Sequence, residues 1–537
     1  MRRLALFVMA VAFAAPAAAQ QDPKQGDDTE KRIERLEREQ GLDRIKFTGD
    51  FRFEAHSIQA TVPEHYDGMA LQSGLVNTLF YFGAIGQPPA SPADVASLIR
   101  NRYADYLYFT QNLTFDQLKN AMGQFPPAVQ QQLMQSLLPG AHVNEYSADN
   151  RILYTNRLRL QMDAKVADNV TFAGRLAMYK VWGDSTGVQV FNGQASSLNI
   201  DGTTATVPNS DILRVERAYF SWNKIGGTPL YVSIGRRPST GGPPLNLRQD
   251  EPRGGTPMGS IINYQFDGIT VGGHLAEHSV LRFCYGLGYE SGFGNGQLLS
   301  LPQDRLKDAH FAGLNWDVWD DERTFVQATV ARAFNVTDGF NGLVVLPNNP
   351  VTGQAIGAPL VMRFTPSTNV GDLDLVGLLL QRRDGNVDWF VNWNLNHSSP
   401  EPVTTPFGGF FSDPFEIPTS QIGQMVFVGA RVNANDGRTK VGIEFNRGSK
   451  YWMNFAPAED DIVAPKTAAR GKVVEGYVTH RIAPRFIAKV DVSRYWYDYS
   501  MSGWQLGTPR RLDETPVLGF PTYRDATRLS FSLIARF

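Results

Sequence analysis

Cysteine is almost missing: Cys284 stands alone among 537 residues. A single thiol excludes an internal disulfide framework, a Cys-rich zinc or iron–sulfur site, and covalent c-type haem, which needs the paired thiols of C-x-x-C-H. An excess of one charge sign is missing too, with 51 basic against 53 acidic residues and a net charge of −2. The basic footprint of a nucleic-acid binder is therefore absent. Charged residues reach only 19%, against about 25% in ordinary soluble domains. Beyond the first twenty residues no apolar run approaches the roughly 18 needed for a transmembrane helix. The eight histidines show no H-E-x-x-H spacing. His274 and His278 are four apart, but they flank a tight turn, so helical facing does not apply. Glycines at 241–242, 254–255 and 272–273 do not sit between a strand and a helix, which argues against a phosphate cradle. No cofactor, metal or catalytic residue is expected.

What is present begins with a secretory pattern. Arg2 and Arg3 precede an apolar stretch from Leu4 to Ala15, and Ala17-Ala18-Ala19 form a small-residue cleavage site before Gln20. Residues 1–19 thus read as a cleaved signal peptide. Residues 20–46 read as a periplasmic linker with a short charged helix from Thr29 to Gln40. Its only apolar stripe is Ile33 and Leu36, and Glu34 and Arg38 add an i,i+4 pair.

From Phe47 the period changes to two. Val387, Trp389, Val391, Trp393 and Leu395 alternate with Asp388, Phe390, Asn392, Asn394 and Asn396. Leu281, Phe283, Tyr285, Leu287 and Tyr289 alternate with Arg282, Cys284, Gly286, Gly288 and Glu290. Successive strand side chains point to opposite faces, so each segment has one apolar and one polar face. A soluble sandwich shares that alternation; the connections separate the two readings. Tight turns at 166–169, 223–228, 277–278, 320–322, 383–386, 435–437 and 483–484 alternate with long stretches near 59–150, 183–210, 238–260, 292–307, 338–369, 398–421, 451–469 and 500–524. Short turns on one side and long loops on the other are the habit of outer-membrane barrels. Seven turns and eight loops predict an all-β, antiparallel, up-and-down transmembrane barrel of about sixteen strands over residues 47–537, with both termini in the periplasm. A closed barrel is also the one sheet that satisfies its backbone in lipid.

The last strand points the same way: Leu529, Phe531, Leu533, Ala535 and Phe537 alternate with Arg528, Ser530, Ser532, Ile534 and Arg536. An apolar period-two strand ending in Phe resembles the C-terminal signature handed to the outer-membrane assembly machinery. Aromatic clusters at Tyr179 and Trp182, Trp316 and Trp319, Tyr451 and Trp452, and Tyr495 to Tyr499 suit girdles at the two membrane interfaces. The expected surroundings are outer-membrane lipid and lipopolysaccharide; association of barrels into a homotrimer is left open.

The strings YTNRLRLQMDAKV, FAGRLAMYKVWGDST, RVERAYFSW and IGRRPSTGGPP, between Arg151 and Pro244, resemble a family of Gram-negative outer-membrane proteins of unknown function treated as porin-like. The resemblance implies a porin-like barrel and transfers no site residue.

Candidate pore residues come from the third long loop. Arg236 and Arg237 lead into Arg248, Asp250, Glu251 and Arg253, and an infolded loop of that composition would set opposed charges across a constriction. Arg157, Arg159, Lys165 and Arg175 fall on the polar faces of their strands and are expected on the lumen wall, offset by Asp163, Asp388, Glu444 and Asp491. In the first loop, Ser91–Tyr108 and Phe115–Leu138 have helical spacing, with Ser91 and Pro92 as cap and first-turn residues. The leading functional expectation is a diffusion channel for small hydrophilic solutes or ions. The competing readings are the sheath of a porin–cytochrome electron conduit and a membrane-embedded hydrolase.

Overall fold

Two-faced strands have to close on themselves to satisfy their edges, and here sixteen do so. In the computed structural model the described residues are 45–183, 189–190, 208, 211–294, 298–299, 301, 306–339, 342–345, 361–364, 366–456, 461–514, 517–519 and 523–537. The expected signal peptide and charged helix lie outside them. Residues 47–537 form one unit. Its strands are β1 (Ile45–Val62), β2 (Tyr146–Ala167), β3 (Val170–Val181), β4 (Arg214–Asn223), β5 (Leu230–Arg236), β6 (Asp267–Ala276), β7 (Ser279–Tyr289), β8 (Ala309–Asp320), β9 (Thr324–Thr337), β10 (Asn369–Asp384), β11 (Val387–Pro400), β12 (Ile422–Ala434), β13 (Thr439–Gly448), β14 (Gly471–Ala483), β15 (Phe486–Tyr497) and β16 (Asp525–Arg536).

Each strand pairs with its sequence neighbour, and β1 pairs antiparallel with β16 from Asp50↔Arg536 to Thr61↔Asp525, in a closed barrel. All seven short turns join strands where the sequence places them, and the eight long connections occupy the other end. At the β12–β13 turn Asn435, Asp436 and Gly437 take φ of 51°, 54° and 77°, a left-handed run that these three residue types tolerate best.

Apolar side chains face outward. Val391 is 47% exposed and Leu529 49%, while the alternating Asn392, Asn394, Ser530 and Ser532 are fully buried or nearly so. That inversion of a soluble protein is what hydrocarbon outside a polar interior requires.

The interior is not uniformly polar, and here the structure departs from expectation. The inner wall from β8 to β12 carries Phe311, Phe325, Leu373, Leu375, Leu379, Phe390, Met425 and Phe427, all in one buried cluster with loop residues Met258, Ile261, Tyr264, Trp452 and Leu506. The long connections 237–266, 401–421, 449–470 and 498–513 contribute these residues, so much of this side of the lumen is packed with chain. The sequence marks the wall in Leu375-Val376-Gly377-Leu378-Leu379-Leu380, which is apolar on both faces because one face meets lipid and the other meets loop.

The aromatic girdle is correspondingly smaller than expected. Trp182, Trp316, Trp319 and Trp496 point outward, but Tyr179, Tyr495 and Tyr497 are buried inside and Trp452 lies wholly within the loop core. Adjacent strand residues cannot share a face, so of Tyr495-Trp496-Tyr497 only the middle ring turns outward.

The first long connection folds into α1 (Gly68–Ile85), α2 (Pro92–Asn101), α3 (Tyr103–Asn112), α4 (Phe115–Gln124) and α5 (Pro127–Ala141). The Ser91 hydroxyl caps α2 by accepting from the Asp94 N–H with Pro92 in the first turn, and Thr114 with Gln117 forms a capping box on α4. The two helical stretches read from sequence are each broken in two, at Arg102 and at Phe125-Pro126; α1 went unread because its apolar residues run nearly all round it. Among the described residues no helix is long and apolar enough to cross a membrane.

Candidate functional site: an arginine-lined cavity in the lumen

Residues 237–266, between β5 and β6, run into the barrel. Leu245, Met258 and Ile261 give this segment an apolar side, and the wall supplies hydrogen bonds for its backbone and polar groups. Gln327 on β9 donates to the Thr256 carbonyl at 3.0 Å, Asn394 on β11 to the Ser260 hydroxyl at 3.2 Å, and Asn263 N–H to the Phe455 carbonyl at 2.7 Å. Buried backbone groups need such partners, and the wall amides of Gln327 and Asn394 together with the 449–470 loop provide them.

The charged residues of the loop reach walls far apart. Arg248 Nη1 lies 3.0 Å from Glu475 on β14. Asp250, in a left-handed turn at φ 51°, receives Arg431 of β12 at 3.2 Å and Lys440 of β13. Glu251, the next residue, takes Arg159 at 2.5 Å and Arg157 at 3.5 Å, both on β2. Burial opposes its charge, but Arg159 and then Arg157 prevail and hold the Glu251 carboxyl well below the usual carboxylate range. Arg157 and Arg159 also clasp Asp50 of β1, at 3.0 and 2.7 Å.

Behind Arg248 is a buried network of opposite charges. Lys466 of the 449–470 loop lies 2.7 Å from Glu475 and also pairs with Glu444, while Arg528 bonds Asp461 at 3.1 Å and Asp491 at 2.5 Å. Isolated ions would not be tolerated at such burial, so the pairing fixes both loops against β13–β16.

Between the loop and the β1–β4 wall, at the turn end, lies a cavity of about 440 Å³. Six guanidinium groups border it, from Arg157, Arg159, Arg175, Arg217, Arg248 and Arg536, against the carboxylates of Asp50, Glu216 and Glu251. Arg175 lies 3.3 Å from Glu216. Arg217 donates to the Thr240 carbonyl at 3.2 Å and Arg536 to the carbonyls of Gln249 and Asp250 at 3.2 and 3.0 Å. The rim therefore carries a surplus of positive charge.

Among the residues expected at a constriction, Arg248, Asp250 and Glu251 are brought together in the lumen with Arg157, Arg159 and Arg175. Arg237 is on the inner wall, stacked over Tyr219 at 5.0 Å and bonded to Ser233, away from that cavity. Arg236 points the other way, 3.4 Å from a largely exposed Asp267. Arg253 lies at the turn end, 2.7 Å from Asp320 and over the Phe325 ring. Lys165 pairs with Asp168 beside the first turn and is mostly exposed, because its strand ends there. Asp163 is exposed as well, whereas Asp388, Glu444 and Asp491 are buried inside as the alternation implies.

Asp50, Glu216, Arg217 and Arg536 complete the cavity and were not singled out from sequence. Asp50 and Arg536 follow from closure, which sets the first strand opposite the last. Glu216 and Arg217 are adjacent in sequence yet both turn inward, since the register shifts between Arg175 and Leu176 in the β3–β4 pairing. The string His274–His278, H-x-x-E-H, falls across the β6–β7 turn, and among the described residues no cluster suited to a metal ion occurs. A G-x-S-x-G string, GDSTG at 183–187, lies outside the described residues beyond Gly183.

A closed sixteen-strand cylinder with an apolar outside, a charged inside and long loops at one end defines the class of transmembrane β-barrels. Residues 147–537 match the family described as Protein of unknown function (DUF3373), and the chain belongs to that family. No curated protein matches the chain. Similar solved structures include OmpT (in-vitro folded), an outer membrane protein of Vibrio cholerae, at 12% identity over 71% of this chain and 89% of that one with TM-score 0.36. Salmonella typhi OmpF in complex with daunomycin is 8% identical over 92% and 99%, TM-score 0.40. Pseudomonas putida OprB at high pH is 10% identical over 93% and 96%, TM-score 0.39.

Proposed function

We propose that this chain is an outer-membrane porin of narrow bore, in which the infolded 237–266 loop confines passage to an arginine-lined route for small anions. The observation that carries the reading is the placement of Asp250 and Glu251 on separate walls, which stretches the loop across the lumen and leaves beside it a cavity with six guanidinium groups against three carboxylates. Charged rings at a constriction sort permeant ions by sign, and a positive surplus favours anions. The apolar exterior and the short-turn, long-loop rhythm support outer-membrane placement, with the turn end toward the periplasm.

The test is conductance of the purified, folded chain in planar bilayers under a potassium chloride gradient. Small discrete steps with a reversal potential on the chloride side support the reading. Persistent silence, or a cation preference in the wild type, overturns it.

A further inference from the structure

A second cavity, of about 260 Å³, lies at the loop end, far from the arginine-lined one, and three separate parts of the chain build it. Leu71 and Leu75 of α1 stand one turn apart on one face, where i,i+4 neighbours meet. Leu118 of α4 and Met134 of α5 close the helical side, and Phe407 and Met501 close the other from the 401–421 and 498–513 loops. Leu71, Leu75 and Leu118 are buried, so the walls behind them are solid. Phe415 stands at the edge with its ring 6.2 Å from that of Phe115, and is itself 57% exposed.

Charges near the cavity are already engaged. Arg510 pairs with Asp413, whose other oxygen accepts the Thr508 N–H at 3.1 Å, and Glu416 accepts the Thr508 hydroxyl at 3.1 Å. Lys119, one turn from Phe115, donates to Thr404 at 3.0 Å. Two cations face two carboxylates, so no surplus charge is offered to an ionic ligand. A pocket whose walls are mostly apolar, with a few polar groups at one end, favours a ligand that buries carbon surface and places one polar group.

We propose that this cavity is a binding site, at the outer mouth, for a small uncharged apolar molecule up to about the size of a bicyclic aromatic, with one hydroxyl or amide turned toward Thr508. Shape and apolar contact supply the affinity, and the Thr508–Glu416–Asp413 cluster supplies one hydrogen-bond contact at the polar end. The inference does not depend on ion passage through the lumen.

The full-length chain, folded and held in amphipol, is titrated calorimetrically with 2-naphthol. The expected result is one saturable site per chain, weakened at least ten-fold by filling the cavity from either wall, with Met134→Trp on α5 or Thr508→Trp on the opposite loop. Heat-modified electrophoretic migration identifies which variants are folded, and either folded variant suffices. Heats equal to those of chain-free amphipol, or wild-type affinity in a folded filled variant, overturn the proposal.

Discussion

Asp250 and Glu251 are consecutive in the chain, yet Asp250 is held by Arg431 and Lys440 on β12 and β13 while Glu251 is held by Arg157 and Arg159 on β2. Strands β1, β16, β15 and β14 lie between those two walls. One peptide unit thus ties two sectors of the barrel together. Asp250 itself takes a left-handed φ of 51°, a conformation that Asp tolerates better than most residues.

Neutralising Glu251 tests the selectivity mechanism. Glu251→Gln leaves Arg157 and Arg159 with Asp50 as their shared carboxylate and raises the positive surplus of the cavity by one charge. At a few ångströms in a partly hydrated site that is worth about 1 kcal/mol, or several-fold in the chloride-to-potassium permeability ratio. Reversal potentials should move further toward the chloride limit; an unmoved ratio would place the ion route elsewhere.

Acid should release the same anchor, and the sign follows from the carboxylate. Arginine contacts lower the Glu251 pKa in the folded chain, after burial has been overcome. The stabilisation is therefore fully present above the unfolded value of about 4.3 and is lost as pH falls through the lower folded value. Single-channel conductance should stay level from pH 7 to about pH 4.3 and change only in stronger acid, and Glu251→Gln should shrink that change, leaving the part that Asp50 and Glu216 contribute.

Gly377 marks where loop and wall touch. A Cβ there would collide with the Ile261 side chain and approach Asn394 Oδ1 to 2.7 Å. Gly377→Leu should therefore displace the loop, destabilise the barrel by roughly 1–3 kcal/mol as overpacking does, and enlarge or roughen the conductance steps. Thermal migration shifts on gels and bilayer recordings of the same preparation read both effects.

The buried ion network should respond to single and paired changes differently. Arg248→Met leaves Glu475 with Lys466 and the more distant Lys489, and loss of one partner of a buried pair costs about 3–5 kcal/mol. Adding Glu475→Gln should recover part of that loss. A double variant that loses the full sum of the two single losses would show that the pair is not coupled.

Lipid exposure is tested at Val391, on the outer face of β11. Val391→Arg puts a cation into hydrocarbon at a cost of about 2–4 kcal/mol near the midplane. The yield of folded barrel in bilayers should fall, while Val391→Leu should be neutral.

Alternation in β11 and β16 and the turn–loop rhythm were enough to read the barrel, the strand number and which face meets lipid. These depend on local periodicity and on connection length, both written residue by residue. The sequence also brought forward Arg248, Asp250 and Glu251, because a charged, glycine-flanked third loop is visible as such. It could not say that Arg253 and Lys165 stay near the turns, that Trp452 points into the lumen, or that Asp50 and Arg536 share a cavity. Those placements depend on which loops fold inward and on the closing pair β1–β16, where residues nearly five hundred positions apart become neighbours. Long-range contact of that kind has no local periodicity to reveal it; only closure of the cylinder and packing of its contents decide it.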